Sequence, residues 1–116
     1  MADVITVGDR TYVIRAVEHD GKWVARAEQR TSGDRFGTEC EGATEEEATR
    51  RMASWLTWQH DHATALEALQ RAEHDYHRAV AGSAFAGTEE GVELQKDALD
   101  RVEAARVRLD EVRNRR

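Results

Sequence analysis

From Asp3 to Gly42 apolar and polar residues alternate with a period of two, and clusters of Gly, Asp and Ser interrupt the alternation. Between these clusters lie runs rich in β-branched and aromatic residues, at 3–7, 10–18, 22–30 and 35–41. The pair Asp20-Gly21 is typical of a two-residue hairpin turn, because both residues tolerate a positive φ. The pattern predicts an antiparallel meander of three or four strands with one apolar face.

The alternation in the third and fourth runs divides their side chains between two faces of the predicted sheet. The covered face is expected to hold Trp23, Ala25, Ala27, Phe36, Thr38 and Cys40. The solvent face is expected to hold Arg26, Glu28, Glu39 and Glu41. Because a small sheet must bury one face against another element, we expect the first set to pack on Met52, Trp55 or Leu56.

Beyond residue 43 the apolar positions take the period of an α-helix. Thr44 with Glu47 forms a capping box at the start of the first helix. Residues 81–87 are small and bracketed by glycines, which predicts a loop, and Thr88 caps a second helix that ends near Asn114. At 1.5 Å per residue the helices span about 57 and 39 Å, so the first has a surplus at its start that can cover the sheet. We predict that the remaining length of the first helix pairs with the second helix as an antiparallel helical hairpin.

Residues seven apart form rows on each predicted helix, as in a coiled coil. On the first helix the rows are Met52, Gln59, Leu66, Glu73 and Val80, and Trp55, His62, Leu69 and Tyr76. On the second they are Val92, Leu99, Arg106 and Arg113, and Gln95, Val102 and Leu109, widened by Ala98, Ala105 and Val112. A loop centred near residue 85 places Leu69 against Val102.

These elements define an α+β fold class with the order β-β-β-β-α-α. The meander and the start of the first helix occupy residues 1–56, and the antiparallel coiled-coil hairpin occupies residues 57–116. The two segments are expected to form a single continuous structural unit.

The composition excludes several classes of protein. Of the 116 residues 34% are charged, the net charge is −6 and there is one cysteine. One cysteine excludes a disulfide scaffold and a multi-cysteine zinc site. The negative charge argues against a dedicated nucleic-acid binder. No apolar run is long enough to cross a membrane and the start is unlike a signal peptide, so we expect a cytoplasmic protein.

Candidate chemistry is sparse. His74 and His77 are three apart and share a helix face, so they could supply two metal ligands, or they are solvated surface histidines. Cys40 falls on the covered face of the sheet, where a small buried hydrophobe is its usual role. The sequence shows no nucleophile elbow, phosphate-binding glycine loop or facing carboxylate pair. We therefore expect no catalytic, cofactor or metal site, and no enzyme.

Arginines accumulate near the end of the second helix, at Arg101, Arg106, Arg108, Arg113, Arg115 and Arg116. They are either a basic stripe for nucleic acid or cations that complement the helix dipole, interleaved with acids. Trp58, Leu94 and Val107 lie off the helical rows and are candidate interface residues. Two hairpins that pair into a four-helix bundle would bury Leu94 and Val107, which predicts a homodimer. The expected function is a non-catalytic protein-interaction module, with another protein as a further possible partner.

Part of the chain resembles HicB-like antitoxins, in which a meander leads through a Gly-x-Thr-x-Glu-Glu-Ala stretch into a helix. The residues concerned are Gly21, Lys22, Trp23, Val24 and Ala25, the stretch 42–48 with one extra Glu, and Trp55 with Leu56. The resemblance covers residues 12–56. It implies a degraded ribonuclease-like module, without catalysis, that binds a toxin. Many members add a small DNA-binding unit, where this chain has the hairpin. The alternative function is thus an antitoxin-like regulator that binds a toxin or nucleic acid.

Overall fold

The computed structural model describes residues 2–82 and 89–115. The strands are β1 (Ala2–Val7), β2 (Arg10–His19), β3 (Lys22–Gln29) and β4 (Arg35–Gly42), and the helices are α1 (Glu45–Ala81) and α2 (Glu89–Asn114). The predicted α+β class and element order are confirmed. The chain divides into two compact units, Met1–His60 and Asp61–Arg116. Most of the predicted loop 81–87 and the Thr88 cap lie outside the described residues.

In the first unit the four strands form one antiparallel sheet in the order β1-β2-β3-β4. Asp20 and Gly21 have φ values of 52° and 79°, and the residues that flank them, His19 and Lys22, are paired across the hairpin. Two successive positive φ values define the turn that matches the twist of a tight hairpin. The meander predicted from the period-two pattern is therefore present with four strands.

The inner face of the sheet packs on the first turns of α1. Met52 and Leu56 are 0% and 2% exposed, and Ile14 beneath them is 2% exposed. Burial of a side chain of this size contributes about 1.5–3 kcal/mol. The predicted inward residues Trp23, Ala25, Ala27, Phe36 and Cys40 all belong to or pack against this core. The extra length at the start of α1 therefore covers the sheet, as expected.

Thr38 was expected on the same face and is exposed instead. Ala25 pairs with Cys40 and Ala27 with Phe36, so β4 advances four residues where β3 advances two. This β-bulge breaks the alternation along β4. Gly37 lies within it at a φ of 77°, and a Cβ there would overlap the indole of Trp55. Phe36, its neighbour in the chain, packs on Trp55 with ring centroids 6.2 Å apart.

The junction between β4 and α1 is tightly packed. The Thr44 hydroxyl accepts a hydrogen bond from the Glu47 amide at 3.1 Å, as the capping box requires. The Glu47 carboxylate accepts from the Ala43 amide at 3.4 Å, one residue before the cap. A Cβ on Gly42 would lie 2.5 Å from the backbone nitrogen of Ala48. Only glycine at this position lets the strand approach the helix so closely.

In the second unit residues 61–81 of α1 and helix α2 form the helical hairpin. The α2 residues with little exposure are Gly91, Gln95, Ala98, Val102, Ala105, Leu109 and Val112. Their spacing alternates between three and four, as in a coiled-coil seam. On α1 the residues at the same spacing are His62, Ala65, Leu69, Ala72, Tyr76 and Ala79, and Leu66 and Glu73 are half-buried beside them. α1 therefore carries alanine at every seventh position of its seam, and α2 carries Gly91, Ala98 and Ala105 before Val112.

This seam corrects one predicted row. Val92, Leu99, Arg106 and Arg113 are all exposed, and the row that was expected only to widen the stripe, Ala98, Ala105 and Val112, lies in the seam instead. The prediction favoured the larger side chains of Val92 and Leu99. Small side chains allow two helix backbones to approach closely. The alanine row of α2 therefore packs against α1, and the row with the larger side chains faces outward.

Side-chain contacts at the end of the hairpin establish its direction. Arg115 donates to the Asp61 carboxylate at 2.8 Å, and the Arg113 Nε donates to the His62 Nε2 at 3.5 Å. These contacts place the last turn of α2 beside residues 61–62 of α1, in an antiparallel arrangement. The pairing of Leu69 with Val102 stays a prediction.

We expect Gly42→Ala to lower the free energy of unfolding by about 1–3 kcal/mol, because the new methyl group overpacks the strand–helix junction. Urea denaturation followed by tryptophan fluorescence measures the change. Gly33→Ala measures backbone strain alone, about 1–2 kcal/mol, because a Cβ there meets nothing within 4 Å but φ is 73°. A loss for Gly42→Ala below about 0.5 kcal/mol would contradict the steric argument.

The small-residue seam leads to a second expectation. Ala98→Leu places a large side chain where the wild-type residue is 5% exposed, so it should destabilise the protein by about 1–3 kcal/mol. Ala104→Leu makes the same change at an exposed position of the same helix and should alter stability by less than about 0.5 kcal/mol. Thermal unfolding followed by circular dichroism compares the two. Equal stability of the two variants would show that Ala98 is not in the seam.

Candidate interaction surfaces

The residues with candidate chemistry do not converge in the described part of the chain. His74 and His77 are exposed on α1, whereas Cys40 is half-buried against the core of the first unit. Within residues 2–82 and 89–115, no three or more His, Cys, Asp or Glu side chains are grouped so that they could hold a metal ion. The pair His74 and His77 therefore has no third ligand of these types among the described residues.

The arginines near the end of α2 are interleaved with acceptors. Arg115 is bound to Asp61 at 2.8 Å and Arg113 to His62 at 3.5 Å, and Arg108 lies 3.7 Å from Glu111. Arg116 falls outside the described residues. Each of these three guanidinium groups already has an acceptor of its own, as expected for a solvated helix end. Their arrangement favours that interpretation over a basic stripe.

Helix α2 carries an exposed apolar stripe. Val92, Leu99 and Val107 are 58%, 40% and 58% exposed. Val92 and Leu99 are seven residues apart and Val107 follows eight residues later, so the three lie along one side of the helix. We call these three residues the α2 stripe. Sequence reasoning found Val107 but assigned Val92 and Leu99 to the seam, and the small row at Gly91, Ala98 and Ala105 was the signal that could have corrected it.

The other two candidate interface residues lie elsewhere. Leu94 is 62% exposed, but it is only two residues from Val92 and so lies on a different side of α2. Trp58 is half-buried in the first unit. The structure thus brings Val107 together with two residues outside the predicted set and places neither Leu94 nor Trp58 on the α2 stripe.

The outer face of the sheet is a second surface with apolar and charged parts. Val4 and Val17 are 56% and 63% exposed there. Cross-strand ion pairs lie around them, between Arg15 and Glu28 at 3.5 Å and between Arg26 and Glu39 at 2.9 Å. The predicted outward residues Arg26, Glu28, Glu39 and Glu41 all take part in such pairs. Exposed ion pairs of this kind contribute about 0–1 kcal/mol each, so they add little to the stability of the sheet.

Comparisons of the chain with protein-family models, with curated proteins and with solved structures gave no match. The fold therefore defines the chain only as an α+β protein with a four-stranded meander and a helical hairpin. Neither helix, over the residues described, is both long and apolar enough to cross a membrane. The resemblance to HicB-like antitoxins rests on the sequence motif alone.

The bulge in β4 leads to a test of the cysteine environment. Cys40 is half-buried and should react with a thiol reagent several-fold more slowly in the native protein than in denaturant, because its side chain packs against the core. A cysteine at the exposed position 38, introduced as Thr38→Cys together with Cys40→Ala, should react at nearly the denatured rate. Absorbance-based thiol titration measures both. If the native protein were labelled faster at position 40 than at position 38, the assignment of Cys40 as half-buried and of position 38 as exposed would be wrong.

Proposed function

We propose that this chain is a non-catalytic protein-interaction module that associates with a second copy of itself through the helical hairpin. The observation that carries the proposal is the α2 stripe. Val92, Leu99 and Val107 are exposed apolar residues on one side of α2, and the charged residues Lys96 and Glu103 lie between them. Apolar side chains that recur about every two turns of a helix, with charged residues around them, are typical of helix–helix contact faces.

The narrow seam of the hairpin supports the same proposal. Ala65, Ala72 and Ala98 bury little apolar area, and helices in water derive most of their stability from the packing of an apolar face. A second hairpin that packs on the α2 stripe would add a second buried face to the helix. The product is a four-helix bundle, and two-fold symmetry is the commonest arrangement for identical chains.

We expect the parent chain to sediment as a dimer at micromolar concentration and Val92→Glu with Val107→Glu to sediment as a monomer. Both positions are 58% exposed, so the two glutamates are tolerated in the single chain, but they would be desolvated without partners in the dimer. Sedimentation equilibrium measures the mass, and circular dichroism verifies that helix content is retained.

The matched control is Leu94→Glu with Arg101→Gln, which changes the charge of α2 by the same amount at exposed positions away from the α2 stripe. This control should remain a dimer. A monomeric parent over the whole concentration range would overturn the proposed self-association. A control that dissociates while the Val92 and Val107 variant does not would place the contact on the Leu94 side of the helix.

The alternative prediction, an antitoxin-like regulator that binds a toxin or nucleic acid, is supported by the motif resemblance in residues 12–56 only. The net charge of −6 is unfavourable for binding phosphates. The acceptors beside Arg108, Arg113 and Arg115 are unfavourable as well, because each would have to be displaced. For these reasons we place protein binding ahead of nucleic-acid binding.

A further inference from the structure

The two edges of the sheet differ in how they are protected. β4 carries a bulge, a glycine at positive φ and the charged residues Arg35, Glu39 and Glu41. Bulges and charges are the usual means by which edge strands avoid pairing with other chains. β1 has an unbroken register with β2 over all six residues, and Asp3 is its only charged residue. The β1 edge therefore presents regular, unpaired main-chain groups with mostly β-branched side chains.

A surface hollow of about 550 Å³ lies beside this edge, within the first unit. β1 and β2 contribute Asp3, Val4, Ile5 and Ile14, and α1 contributes Glu46, Thr49, Arg50 and Ala53. The floor is apolar, with Ile5 partly exposed, and the wall formed by α1 carries the Arg50 guanidinium. An additional strand on the β1 edge would place every second side chain over this floor.

We infer that β1 pairs antiparallel with β1 of a second copy, so that the sheet continues across a two-fold axis. The inference rests on the proposed self-association and adds a contact in the first unit to the one on α2. The apolar floor of the hollow matches this occupant, because the inner face of an incoming β1 carries Ile5. Its Asp3 would share the Arg50 guanidinium with the Asp3 and Glu46 carboxylates that already line the hollow.

Symmetry restricts the register of such a pair. In an antiparallel pair opposed residues lie on the same face of the sheet, so Val4 on the outer face cannot oppose Ile5 on the inner face. The two longest of the remaining registers each pair five residues of β1. In one register Val4 opposes Val4. In the other Ile5 opposes Ile5, and Val4 opposes Thr6. Opposed Cα atoms in antiparallel strands are about 4.5 or 5.5 Å apart, within the range that a disulfide spans.

Disulfide cross-linking tests the contact in a Cys40→Ala background, at a micromolar concentration where the parent is dimeric. Val4→Cys alone should form covalent dimers if Val4 opposes Val4 of the second copy. If Ile5 opposes Ile5 of the second copy, a mixture of the Val4→Cys and Thr6→Cys proteins should form them. Val17→Cys is the matched control, because it is similarly exposed on the same outer face but lies on the inner strand β2. We expect the β1 cysteines to form covalent dimers about tenfold faster or more, because pairing raises the local thiol concentration toward millimolar.

The outcomes separate this inference from the proposed function. Cross-linking at β1 no faster than at Val17→Cys, in a protein that sediments as a dimer, would overturn the β1 contact and leave the α2 contact in place. A parent that is monomeric at every concentration would overturn both. Fast cross-linking that persists with Val92→Glu and Val107→Glu present would show that the β1 contact forms independently of α2.

Discussion

The contact between the first turns of α1 and the inner face of the sheet is the interaction on which the first unit depends. A four-stranded sheet is marginal in water unless one face is covered, and Ala48, Met52 and Leu56 supply that cover. The close approach at Gly42 and the Thr44 cap establish where the helix begins. From that starting residue, Met52 and Leu56 lie on successive turns of α1 and pack in one core with Ile14, Ala25 and Ala27.

The second unit follows a different packing principle. Its seam is built on alanine at every seventh position of α1 and on Gly91, Ala98 and Ala105 of α2, with Leu69, Val102 and Leu109 between them. Close approach of the backbones compensates for the small side chains, because dispersion contacts increase as the distance between helices decreases. The consequence is a narrow buried stripe, which leaves larger aliphatic residues on the outside of α2.

Both units therefore leave apolar groups exposed at their surfaces. The two proposed contacts have the same physical cause, because each would cover such a group. In the second unit the exposed groups are the α2 stripe, outside a seam too narrow to include it. In the first unit they are at the β1 edge, where Val4 is 56% exposed and Ile5 is partly exposed in the hollow. In each case, contact with a second copy of the chain would bury apolar surface that one copy leaves exposed to water.

The sequence by itself determined the element types, their order and most of their boundaries. The period of two, the Asp20-Gly21 turn and the Thr44 capping box are local signals, and each depends only on neighbouring residues. The sequence also identified Met52 and Leu56 as the cover of the sheet, because the surplus length at the start of α1 was the part of the chain expected to reach it. Only the tertiary structure decided the exposure of Thr38 and the choice between two heptad rows on α2. A bulge exists only relative to the partner strand, and whether Ala98 or Leu99 faces inward depends on how closely the opposing helix can approach.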